Sequence, residues 1–148
     1  MIRYLVPESP ALLSRPLWQA AGLFVGRALR YRKQYSVGVA WVSLAQMRVL
    51  NRQYRKKDRP TDVLSFEPID PQEKRDAYLG DLVICPDYAK VEAKRRGLST
   101  SEEILRLVIH GTLHLAGYDH ATQSDEEKMF GVQERALSRI LEVCKRPS

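Results

Sequence analysis

The 148-residue, 17.0 kDa chain is 44% hydrophobic and 28% charged with 8 Gly and 8 Pro, a composition that excludes disorder and fibrous repeats and fits one domain of residues 1–148. Its formal charge is +6. Arg27 to Arg59 holds ten basic residues against Asp58 alone, a local +9 that leaves −3 for the rest, as expected of a face that binds anionic phosphates.

At the N-terminus, MIRYLVPESP is broken by Pro7 and Pro10 and does not read as a signal peptide. Leu17, Ala20, Ala21, Phe24, Val25, Ala28 and Leu29 recur at helical spacing, predicting an amphipathic first helix. Val37, Val39 and Trp41 alternate as a strand does. Ser43 is placed to cap a second helix carrying Leu44, Met47, Leu50 and Tyr54 near one face and Arg48, Arg52 and Arg55 on others. Pro60 ends that region, Thr61–Phe66 reads as a strand, and the polar stretch Glu67–Tyr78 reads as an exposed loop. Leu79–Cys85 predicts a further strand, Pro86 starts a helix that stops near Gly97, and Ser99 with Glu102 forms a capping-box pattern before an apolar run to Leu115. Ser124 with Glu127 repeats that pattern before a last helix towards Cys144. Strands and helices in this order predict an α+β or α/β layered domain. No run of about 20 apolar residues suggests a membrane span. Cys85 and Cys144 share no metal-like spacing, as in a reduced, cytoplasmic protein.

All three histidines fall within HGTLHLAGYDH. His110 and His114, four apart, share one helix face about 6 Å apart along the axis. Gly117 suits the left-handed turn that ends the helix, and His120 lies where the returning chain can add a third nitrogen. Three imidazoles with an open fourth position are a catalytic zinc arrangement; nickel or another imidazole-seeking divalent ion is the alternative. Asp119 is either a carboxylate that orients an imidazole or an exposed turn residue. The spacing also matches metzincin proteases, with Met129 downstream inviting comparison with their methionine turn. Those enzymes carry a glutamate general base after the first histidine, where this chain has Gly111, so a peptide substrate is disfavoured. Met129 falls in an apolar helical pattern with Val132, Ala136 and Ile140, which predicts core packing. Cys85, beside Val83 and Ile84, also reads as core.

HGTLHLAGYDH, with NRQYRKKDRPTDVLSF before it and LGDLVI between, resembles the YbeY family of bacterial metal-dependent endoribonucleases, from about Val37 to Leu141. The resemblance implies a single α+β domain with a small mixed sheet packed against several helices, zinc held by His110, His114 and His120, and Arg55 as the basic residue of an RNA-facing active site. It also implies work on ribosomal RNA: maturation of the 3′ end of the small-subunit 16S RNA, and ribosome quality control. Phosphodiester hydrolysis needs an activated water and positive charge near the phosphoryl oxygens, roles that zinc and Arg55 suit. Arg52, Lys56, Lys57 and Arg59 are candidate RNA-backbone contacts. Asp62 and Asp81 could support the site, and no general acid is evident, which keeps water and the RNA 2′-hydroxyl as participants. A non-catalytic RNA-binding ribosome assembly factor stabilised by metal is the competing reading.

Overall fold

In the computed structural model, which describes residues 1–145, the sheet is assembled from pieces far apart in sequence. The strands are β1 (Ile2–Leu5), β2 (Tyr35–Trp41), β3 (Val63–Phe66) and β4 (Tyr78–Ile84). The helices are α1 (Arg15–Ala28), α2 (Leu44–Arg55), α3 (Pro71–Arg75), α4 (Pro86–Arg96), α5 (Thr100–Leu115) and α6 (Gln123–Lys145). Strand order is β1-β2-β4-β3. The β1–β2 and β2–β4 pairs are parallel, and β3 runs antiparallel to β4 at the edge. The fold is α+β, a small mixed sheet with helices on both faces.

Strand alternation divides the core in two. Val37, Val39, Val63, Leu82 and Ile84 face the larger cluster, where α1, α5 and α6 pack together and α4 lies against α5. Leu64, Val83 and Phe66 face the other way, towards Met47 and Leu50 of α2 and buried Cys85. Helix α5 is the central element: buried on most of its circumference, it packs on β3, β4, α1, α4 and α6. Gly111 allows that close approach, since a Cβ there would stand 2.6 Å from Leu82 Cδ2 and 3.2 Å from Ser65 Oγ.

Caps explain most helix starts. Ser43 and Gln46 form a reciprocal capping box on α2, and Ser99 Oγ accepts the Glu102 N–H at 3.1 Å on α5. Two expectations are corrected, and one strand is added. Strand β1 was not predicted, because four residues (IRYL) carry little periodic signal and their pairing with β2 crosses about thirty residues of chain. The Glu67–Tyr78 segment is not loop throughout: Asp70 caps the short α3, and Tyr78 already belongs to β4. Ser124 lies inside α6; Thr122 Oγ1 instead accepts the Asp125 N–H at 3.1 Å, so the helix starts earlier than the Ser124–Glu127 pattern implied. Met129 and Cys85 are core residues, as expected.

Candidate metal centre

The last two turns of α5 present His110 and His114 on the strip of the helix that the core does not cover. Gly117, at φ +103°, turns the chain back, and the Gly117 and Tyr118 N–H groups donate to the His114 and Leu113 carbonyls at 3.0 Å each. His120 thereby returns to the helix end. The three side chains converge through Nε2: His114 stands 3.2 Å from His110 and 2.6 Å from His120, and their ligand atoms all lie within 4.8 Å of one another.

The outer nitrogens define which atoms face inward. His110 Nδ1 lies 2.8 Å from Gln133 Oε1 of α6, and His114 Nδ1 lies 3.1 Å from the Tyr118 carbonyl. Both partners are acceptors, so each Nδ1 carries the proton and each Nε2 turns a lone pair towards the shared point. Lone pairs this close repel unless a cation lies between them, so the donor set fits a divalent, imidazole-seeking ion. Among the described residues the cluster contains no thiol or carboxylate. Burial, reinforced by the neighbouring imidazoles, pushes the His114 pKa down to about 4. Burial also lowers that of His110, opposed by its Gln133 bond. Neutral imidazoles are the form that ligates metal.

Arg55, exposed at the end of α2, lies near enough for its charge to help disfavour protonation of His110 and His114. Lys56, in the left-handed conformation (φ 57°), ends α2. Asn51 Nδ2 donates to the Arg59 carbonyl at 2.8 Å, and Arg48 forms a paired contact with Asp58 at 2.9 and 3.1 Å. These bonds shape the loop that carries exposed Lys56, Lys57 and Arg59, while exposed Arg52 lies on the last turn of α2. Asp62 accepts the Val63 N–H at 2.7 Å and lines a cavity shared with His110 and His120. Asp81 points from the opposite sheet face to Leu82, away from α5, and accepts the Tyr78 hydroxyl. Asp119 accepts the His120 N–H at 2.7 Å and so acts on the turn.

Gly111 is buried against the sheet. The position after the first histidine therefore faces Leu82 and Ser65, not the imidazole cluster, and offers no room for the glutamate of a metzincin. Gln133 was missed in the sequence. Its signal is a polar residue on the apolar stripe of α6, four after Met129 and three before Ala136.

An α+β fold with an open three-imidazole centre at a helix end defines a class of metal-site proteins, and comparison with known proteins places the chain within it. The model of the endoribonuclease YbeY family matches residues 16–141, and the chain belongs to that family. It is 44% identical over 100 residues to the endoribonuclease YbeY of a Sulfurihydrogenibium species, a match spanning 64% of this chain and 63% of that protein. With the Beutenbergia cavernae endoribonuclease YbeY, identity is 35% over 140 residues, covering 90% and 93% of the two chains. The solution structure of TM1509 from Thermotoga maritima aligns over 98% of this chain and 92% of its own at a TM-score of 0.68 and 32% identity.

Proposed function

We propose that residues 1–148 act as one zinc-dependent endoribonuclease domain that cuts single-stranded RNA in the cytoplasm. Its work is maturation of the 3′ end of small-subunit 16S ribosomal RNA and ribosome quality control, with the ribosomal small subunit as partner. Convergence of three Nε2 atoms without a fourth protein ligand among the described residues carries this reading, because structural zinc sites are closed by a fourth side chain. His110, His114 and His120 would hold the ion, His114 centrally between the other two. When bound, the ion supplies Lewis acidity and water activation near neutral pH.

The chain's own residues do the remaining work. Arg55 donates its planar pair of N–H groups to the phosphoryl oxygens as negative charge builds up. Arg52, Lys56, Lys57 and Arg59 neutralise flanking phosphates, positioning the strand without reading sequence. Gln133 and the Tyr118 carbonyl hold two imidazoles in register, so the site is set before substrate arrives.

Zinc content and RNA cleavage measured on one preparation test the reading, beside a chelated aliquot and the His114→Ala and Arg55→Ala variants. One zinc per chain is expected, with cleavage abolished by chelation and by His114→Ala. Arg55→Ala should cost about 10²–10³ in rate at unchanged zinc content. Tight zinc with no cleavage of free RNA or of ribosomal particles would instead support the assembly factor.

A further inference from the structure

We propose that Tyr54, held edge-on by Phe66 beside Arg55, is a stacking platform for a base of the single strand that passes the three histidines. That the strand is RNA rests on the ribonuclease reading; the stacking of a base on Tyr54 does not.

Tyr54 shares a face of α2 with Met47 and Leu50, a register that leads into the core. Met47 is buried there, with Leu64 and Cys85, whereas Tyr54 is 58% exposed. At the last turn of α2 its ring meets Phe66, from the end of edge strand β3, with centroids 4.9 Å apart and planes at 74°. In an edge-to-face pair the edge of one ring abuts the face of the other, so Phe66 covers at most one face of Tyr54. The ring is fixed in place, and a flat apolar surface stays open to solvent.

Charge and position narrow what lies on it. Helix α2 contains no acidic residue, and exposed Arg52, Arg55, Lys56 and Lys57 surround Tyr54 in sequence. The first acid downstream, Asp58, is held by Arg48 at 2.9 and 3.1 Å, and Glu67, after Phe66, faces Lys74 at 3.7 Å. An open aromatic face among clustered cations suits a polyanion that also carries rings: in single-stranded nucleic acid the bases stack and the phosphates track the cations. An acidic peptide would use the cations and leave the ring idle. Arg55 follows Tyr54 directly, and its charge reaches His110 and His114. Phe66 leads the same way: a Cβ on Gly80 would meet both the Phe66 carbonyl and the side chain of Leu115, the residue after His114. A strand held at the histidines and neutralised by Arg55 thus brings a neighbouring base over Tyr54. Stacking reads no sequence, so any base serves.

The test compares binding of the full-length protein to two labelled oligodeoxynucleotides of about eight residues, one intact and one fully abasic, by fluorescence anisotropy. Both carry the same phosphates, and an endoribonuclease leaves both uncut. The wild type should prefer the intact strand about tenfold, and Tyr54→Leu, which keeps apolar bulk without a ring, should remove that preference. Tyr54→Phe should retain it. The salt slope should be the same in all three proteins, because no phosphate contact is lost. Should Tyr54→Leu fail to fold, Tyr54→Gln, suited to an exposed helix position, carries the test. Equal wild-type affinities for the two strands, or a preference undiminished in a folded Tyr54→Leu or Tyr54→Gln, would overturn the proposal. Tyr54-dependent preference in a protein that cuts no RNA would sink the ribonuclease reading and leave the platform standing. RNA cleavage by Tyr54→Leu at the wild-type KM, with no preference for bases over abasic sites, would do the reverse.

Discussion

Gln133 reaches from α6 to His110 Nδ1, and this one bond decides which imidazole nitrogen faces His114 and the shared centre. Replacing it with Leu removes the acceptor but suits the apolar stripe, so Gln133→Leu should weaken zinc affinity about 10- to 100-fold. Gln133→Glu keeps an acceptor and should retain tight binding; competition with a chromogenic chelator checks both. The histidines also predict how acid acts on the metal-stripped protein. With its folded pKa pushed down to about 4, against about 6.5 in the unfolded chain, His114 takes up its proton more readily when unfolded. Its contribution is present in full above about pH 6.5 and is lost as pH falls from there to about 4. Urea melts of chelated protein at pH 7.5, 6 and 5 should show a falling midpoint, a trend that His114→Gln should flatten.

At the scale of elements, the turn after α5 does what neither histidine can do alone. Gly117 holds φ +103° with nothing within 4 Å of where a Cβ would sit, so an alanine there meets backbone strain rather than a clash. Gly117→Ala should destabilise the protein by about 1–2 kcal/mol and loosen His120, lowering both the melting temperature and zinc affinity. Thermal melts with and without zinc separate the two effects, because lost metal linkage shrinks the zinc-induced shift. Helices α2, α4 and α5 were legible because Ser43, Pro86 and Ser99 sit at their starts and apolar periodicity runs through α5. Strand β1 and helix α3 were not, since a four-residue strand and a five-residue helix owe their stability to what they pack against.

Across the whole molecule, the basic segment comes near the three histidines at Arg55. Arg55 closes α2 near the histidines, and exposed Arg52, Lys56, Lys57 and Arg59 surround it, so a strand crossing the site would pass along this face. Single-stranded RNA affinity should therefore fall linearly with the logarithm of salt concentration. Each of these four residues replaced by Gln should reduce the slope by about 0.7 if it contacts one phosphate. Filter binding from 50 to 300 mM salt measures this, and equal slopes for wild type and the fourfold variant would remove the face from RNA binding. Among the described residues, no helix is long and apolar enough to cross a membrane.

The sequence by itself determined the three-imidazole cluster, because four-residue spacing on a helix and a glycine turn bring the three side chains together through local geometry alone. It also determined the basic segment, the mixture of strands and helices and the core roles of Met129 and Cys85. Tertiary structure decided what stands around the ligands. Gln133 lies 23 residues from His110, and the cavity joining Asp62, Glu103 and Phe130 draws on the segment before β3, on α5 and on α6. It likewise sent Asp81 to the far face of the sheet and Asp119 to the turn. Local periodicity specifies where a side chain points on its own helix or strand; which distant side chain it meets depends on how α5 and α6 pack over the sheet.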